Sequence, residues 1–321
     1  MPRILVKSSW KKMVLVLFSI LFAPPAWAKD PQVLVSIKPI HALVSGVMQG
    51  VGEPKLLLQG AASPHSYALR PSEAVLLNKA DLIFWVGEDL ETFLTKPLRQ
   101  LAANAHIVAL HTAPGIHLLP NRKTGESKEK STQDHHEAET NDVHRHGTMD
   151  MHLWLSPTNA VAMTRAIAHA LEKTDPAHAS HYQDNATRLE KKIQTFALDI
   201  KRRLADIKNK PFIVFHDAYH YFEDSFGLTI AGSLSVSPDR PVSAQRLHEI
   251  RTILQSTKTL CIFSEPQFES GLVDTLTRGS TVKKGTLDPI GSDAPMGEEG
   301  WFVLMDHLVT NLVRCLGQPP A

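Results

Sequence analysis

A chain of 321 residues with 43% hydrophobic side chains is long enough for two lobes of ordinary domain size. Its formal net charge of +1 includes four basic residues in the first 28 (Arg3, Lys7, Lys11, Lys12) and no acidic ones, so the remainder carries −3. That balance argues against nucleic acid as a partner.

The basic residues precede an apolar run from Met13 to Ala23 and an A-x-A site at Ala26, Trp27 and Ala28. Residues 1–28 therefore read as a cleavable signal peptide, and the rest as an exported protein free in the periplasm. The leader has no cysteine for lipid attachment, and its apolar run is too short for a membrane span.

Beyond the leader, β-branched runs alternate with helical patterns. Val33 to Ile37 predicts a strand, followed by Pro39 and a helical run through His41, Leu43, Val44 and Val47. A strand at Lys55 to Leu58, a GAASPHS turn and a helix from Pro71 to Lys79 with Ser72 as its cap come next. Asp81 to Val86 predicts a third strand, and Leu90 to Ala103 another helix. Strands alternating with helices at this spacing predict an α/β fold with a parallel sheet.

The stretch from His117 to His152 breaks the alternation. It holds His117, His135, His136, His144, His146 and His152, and from Asn121 to Asp150 it has almost no large apolar side chain. Such a segment cannot bury enough surface to offset the entropy of ordering it, so residues 117–150 are expected to form a disordered loop. Its imidazoles suit borderline-soft cations, zinc above all, and His117, His135, His136, His144 and His146 are the candidate ligands of an auxiliary metal loop. Apolar density returns in MHLWLSP, residues 151–157, where His152 sits among residues of buried character.

Pro157 to Leu171 predicts a helix. Asp175 as cap and Pro176 at the first position open another, which continues to about Ile207 with no further proline and no glycine. At about 1.5 Å per residue this is a rod of roughly 45 Å, longer than one lobe needs, so residues 175–208 are expected to link two lobes. The alternation then restarts: strand Phe212 to Phe215, helix Ala218 to Phe226, strand Leu228 to Ile230, helix Ser243 to Gln255, strand Leu260 to Phe263 and helix Ser270 to Leu276. Trp301 to Cys315 closes the chain as a helix. DLIFWVGEDLETF at 81 and TLCIFSEPQFESG at 259 echo each other as strand, Glu, helix. The expected organisation is an N-terminal lobe over 29–174, the linker helix over 175–208 and a second, similar lobe over 209–321, with a cleft between the lobes.

The only cysteines are Cys261 and Cys315. In an oxidising compartment a disulfide between them is the favoured state; two buried thiols are the alternative.

In open α/β sheets ligands bind beyond the carboxyl ends of the strands. His65 lies in the turn after the second strand, His216 directly after Phe212 to Phe215, Glu265 after Leu260 to Phe263, and Asp288 after a short extended piece. The rule leaves His152 unplaced. Three imidazoles with a carboxylate or water make the near-tetrahedral set that zinc accepts, whereas manganese wants more oxygen.

The fragments SIKPIHALV (36–44), SPHSYALRPSEAVLLNKADLIFWVG (63–87), MHLWLSP (151–157), FHDAYHYF (215–222), QRLHEIR (245–251), EPQF (265–268) and GTLDP (285–289) occur in this order over nearly all of the chain. Together they resemble the zinc-uptake solute-binding proteins of ABC transporters, within the metal-binding group of those periplasmic proteins. The resemblance implies two α/β lobes joined by one long helix, a monomer that carries a zinc ion to an inner-membrane ABC permease, and ligand histidines at His65, His152 and His216. It places the family's acidic position on Asp288, as fourth ligand or near it, and leaves Glu265 a supporting role behind the ligands. Some relatives have Glu before the first ligand histidine; here Pro64 stands there, which leaves the fourth position to Asp288 or water. Some zinc members also share the paired cysteines and the acidic, histidine-rich loop. Histidine at 216, a position that tends to be acidic in manganese carriers, favours zinc over the alternative of a manganese or iron carrier. A secreted zinc hydrolase is the alternative of another class, but the chain has neither an H-E-x-x-H helix nor a G-x-S-x-G elbow.

Overall fold

Two four-stranded sheets, each all-parallel, carry the molecule in this computed structural model. The structure describes residues 30–122, 147–235, 241–257, 259–268 and 271–317. The predicted signal peptide and His135, His136, His144 and His146 lie outside the described residues.

The first sheet contains β1 (Val33–Val35), β2 (Lys55–Leu56), β3 (Leu82–Trp85) and β4 (His106–Ala109) in the order β2-β1-β3-β4. The second contains β5 (Phe212–His216), β6 (Ile230–Ser235), β7 (Cys261–Ser264) and β8 (Lys283–Thr286) in the order β6-β5-β7-β8. The two orders are one topology used twice, and the echoing segments at 81 and 259 supply the equivalent strands β3 and β7. Both are fully or almost fully buried runs, as parallel strands covered on both faces must be.

The helices are α1 (Lys38–Val47), α2 (Pro71–Lys79), α3 (Thr95–Leu101), α4 (Pro157–Thr174), α5 (Ala179–Arg203), α6 (His220–Phe226), α7 (Ala244–Ser256), α8 (Gly271–Thr277) and α9 (Glu299–Leu316). The long rod, α5, buries Tyr182, Ala186, Leu189, Ile193 and Ile200 along one stripe. It is tied at one side to α1, where Asn185 Nδ2 donates to the Val47 carbonyl, and at the other to α9, where Arg188 and Lys192 pair with Glu298 at 2.8 and 2.9 Å. Helices α1 and α9 also meet directly: a Cβ on Gly300 would lie 3.3 Å from the Ala42 Cβ and 2.5 Å from the Pro295 carbonyl. Glycine at 300 is what permits that approach.

Several local expectations are corrected. Ser72 does not cap α2: Pro71 takes the first helical position, and Glu73 closes the end by accepting from the Arg70 N–H at 2.8 Å. Asp175 does not cap the rod either. Its carboxylate is buried and accepts from Tyr182 Oη at 2.8 Å and His178 Nδ1 at 2.7 Å, so the chain makes a 3-10 turn over Pro176–His178 before α5 begins. The rod spans 25 residues, roughly 37 Å, and ends where Leu204 and Ile207 turn into the core. Leu90 to Ala103 divides into a 3-10 turn and α3. The edge strand β4 carries no apolar pattern strong enough to have announced it.

Residues 117–122 and 147–150, counted in the expected loop, make defined contacts. Leu118 and Leu119 pack against the main core, the His117 N–H donates to Asn159 Oδ1 at 2.8 Å, and Pro120 bridges Met149 in antiparallel fashion. Residues 117–122 and 147–150 thus form a built stem. Cys261 and Cys315 are joined as a disulfide that pins the last turn of α9 to the start of β7.

Candidate metal centre

His216 is the last residue of β5, and Glu265 follows directly on β7. These strands are neighbours on either side of the point where the strand order reverses, the crevice where open parallel sheets place their ligands. His65 comes from the turn after β2, held by its N–H donating to Ser63 Oγ at 3.3 Å. His152 stands between the stem and the 3-10 turn Leu153–Leu155; just beyond it Ser156 caps α4, accepting from the Asn159 N–H, and Pro157 takes the first helical position.

The three rings converge. His152 Nε2 lies 3.3 Å from His65 Nε2 and 3.3 Å from His216 Nε2, and one ligand nitrogen of each lies within 4.8 Å of the others. Among the described residues this is the one such group of three or more metal-ligating side chains. A tetrahedron with zinc–nitrogen bonds of roughly 2.0–2.1 Å has edges of roughly 3.3–3.4 Å, so two of the three separations already match it.

Each of the two buried rings is oriented from behind by a carboxylate. His152 Nδ1 donates to Asp150 Oδ1 at 2.7 Å, and the same oxygen accepts the His152 N–H at 2.9 Å. His216 Nδ1 faces both oxygens of Glu265, at 2.8 and 2.7 Å, and its N–H donates to Oε1 at 3.2 Å. With Nδ1–H committed to a carboxylate, the lone pair of each neutral ring sits on Nε2, facing the cavity. Burial opposes a proton on His216, but Glu265, with Asp217 and Asp150 nearby, outweighs it and raises the pKa above the ordinary histidine value. The carboxylates that favour a proton on His216 also favour a metal cation beside it.

The cavity is small. Its volume is about 10 Å³, room for one ion or one water, and Pro64, Phe268, Pro289 and Ile290 wall it off.

Asp288 is not among the converging groups. Its Oδ1 accepts from Gln267 Nε2 and from the Ile290 and Gly291 N–H groups at 2.7–3.1 Å, and its Oδ2 from the N–H and hydroxyl of Ser292 at 2.6 and 2.5 Å. It shapes the 288–292 turn that forms one wall. His117 is exposed at the foot of the stem, away from the three rings. Asp150 went unnoticed in the sequence; a carboxylate two residues before a candidate ligand histidine was the signal, and it was lost in an acidic stretch.

The sequence matches, over residues 33–315, the family described as "ZnuA: Zinc-uptake complex component A periplasmic". The chain belongs to the ZnuA family. It is 42% identical over 309 residues to the high-affinity zinc uptake system protein ZnuA of Brucella suis biovar 1, covering 89% of this chain and 92% of that one. To the ZnuA of Yersinia pestis it is 36% identical over 315 residues, 97% of this chain and 99% of that one. A crystal structure of ZnuA has the same fold, with a TM-score of 0.74 over 90% of this chain and all of that one, at 21% identity. ZnuA proteins are components of a transport system, and the doubled sheet with its connecting rod is their architecture.

Proposed function

We propose that this protein captures zinc in the periplasm and delivers it, as cargo and without chemistry upon it, to an inner-membrane ABC permease. His65, His152 and His216 supply three Nε2 ligands, and water takes the fourth position, because the oxygens of Asp288 and Glu265 face hydrogen-bond donors and Asp150 Oδ1 is engaged with His152. Residues 29–174 and 209–321 act as the two lobes, 175–208 as the link between them, and the protein works as a monomer after loss of residues 1–28. The histidines of the 123–146 segment, with His117, form a second, weaker collector.

The observation that supports this reading best is the pair of 3.3 Å Nε2 separations around His152, each outer ring aimed at a cavity that admits one ion. Membership of the ZnuA family, whose members in Brucella and Yersinia are named for high-affinity zinc uptake, agrees with it. The test is competitive zinc titration with metal analysis on the mature protein beside its His65→Ala, His152→Ala, His216→Ala triple variant. One tight zinc lost in the variant, with weaker zinc remaining, is the expected result; tight zinc that survives would overturn the assignment.

A further inference from the structure

Two described residues of the stem, Arg122 and Asp150, reach the neighbourhood of the metal centre. The stem is closed by the Asp150 N–H donating to the Leu119 carbonyl at 2.9 Å and the Asn121 N–H to the Thr148 carbonyl at 3.0 Å. Three side chains of the second lobe, Tyr221, Asp217 and Glu223, then hold it. Tyr221 Oη accepts the Leu119 N–H at 3.0 Å and donates to the Asp150 carbonyl at 2.7 Å. Arg122 reaches across to pair with Glu223 at 2.6 Å and Asp217 at 3.4 Å. Asp150 orients His152, and Asp217 follows directly on His216, so the stem is fastened one step behind each of two ligands that come from different lobes.

We propose that Arg122 is a positioning residue for cargo retention: its ion pairs with Asp217 and Glu223 clasp the stem to the second lobe and slow the escape of the bound ion. The inference rests on the three-histidine reading above. Escape requires His152 and His216 to part, and the Arg122 pairs span that parting. The side chains of Arg122, Asp217 and Glu223 are only 27, 10 and 19% exposed, so their attraction is incompletely screened. Without the guanidinium, two partly buried carboxylates on one side of the join lose their cation, a loss that for charge pairs across an interface falls mainly on the dissociation rate.

Stopped-flow release of zinc from the loaded mature protein into excess chelator tests this, with wild type, Arg122→Met, Arg122→Lys, and Arg122→Met combined with Glu223→Gln. The clasp predicts release about tenfold faster in Arg122→Met, most of the wild-type rate restored by lysine, and a smaller effect of Arg122→Met when Glu223 is already glutamine. The association rate and the thermal midpoint of the zinc-free protein should stay near wild type. Release at the wild-type rate in Arg122→Met would overturn the clasp, as would faster release matched by a lowered zinc-free midpoint and no rescue by lysine. If the triple histidine variant keeps its tight zinc, the site reading fails; if it loses zinc while Arg122→Met releases normally, only the clasp does.

Discussion

Replacing Glu265 by glutamine tests the electrostatic logic of the centre. Both Glu265 oxygens lie within 2.8 Å of His216 Nδ1, and the residues are each 3% exposed, so solvent screens little of the interaction. Glutamine keeps the size and one acceptor but removes the charge, and loss of such a partner behind a metal-bound imidazole typically costs 10- to 100-fold in affinity, about 1.4–2.7 kcal/mol. A second consequence has the opposite sign. Glu265 raises the His216 pKa, so in the wild type protons compete with zinc at a higher pH than for an ordinary histidine. In Glu265→Gln that competition weakens. Competitive titrations should therefore show the full deficit at pH 8 and a shrinking deficit toward pH 6, because the wild type loses affinity on acidification faster than the variant. Equal affinities at pH 8, or a deficit that grows as pH falls, would refute the argument.

Three further outcomes are expected. Replacing Cys261 and Cys315 by serine opens a loop of 54 residues and should lower stability by about 4 kcal/mol in the chain-entropy estimate, read by denaturant unfolding with and without reductant. Glu91 is fully buried, and although Gly87, Ser36 and Val86 donate to it, burial raises its pKa to about 7. A raised carboxyl favours the folded state below the unfolded value of 4.5 and loses that contribution as pH climbs to 7, by about 3 kcal/mol; Glu91→Gln should flatten this slope in unfolding titrations between pH 4.5 and 7. Asp288→Ala removes the acceptor for five donors and should reduce stability by more than 1 kcal/mol while weakening zinc less than His65→Ala does, by titration beside thermal unfolding.

The alternation of strand and helix was legible because parallel strands buried on both faces read as uninterrupted apolar runs, and LIFW and FIVFH are such runs. HIVA of β4, at a sheet edge with half-open side chains, has no such signature. Helix ends were read less well: Ser72 and Asp175 have the right chemistry for caps, but Pro71 and the buried Tyr182 hydroxyl decided otherwise. At the site, His65 and His216 followed from the ends of their strands and Glu265 from its place after β7. His152 follows no strand and rested on the resemblance of MHLWLSP alone. The part taken by Asp150, Tyr221 and Arg122 depends on a contact between residues about 70 to 100 positions apart, which no local pattern encodes.

The duplicated topology bears on which cation the centre suits. In the first sheet the position equivalent to His216 and Glu265, where β1 and β3 part, is held by Ser36 and Glu91, hydrogen-bonded to each other and buried. In the second lobe this junction holds His216 and the carboxylate behind it, Glu265; His65 and His152 stand on connections of the first. The Trp154 indole donates to the Pro289 carbonyl at 2.6 Å, the Trp301 indole to the Trp154 carbonyl at 2.9 Å, and Lys38 to the Ser292 carbonyl at 2.7 Å. These bonds fix the segment after His152 against the 289–292 wall, so the separation of the rings is set by the frame rather than by the ion. Manganese, which prefers more oxygen ligands, would have to draw carboxylates inward. Here Asp150 Oδ1 and both Glu265 oxygens are engaged with histidine Nδ1 atoms, and Asp288 with the turn that forms the wall. Drawing Glu265 inward would come at the expense of the His216 orientation, and three imidazole nitrogens, two of whose separations match a tetrahedron around zinc, favour zinc.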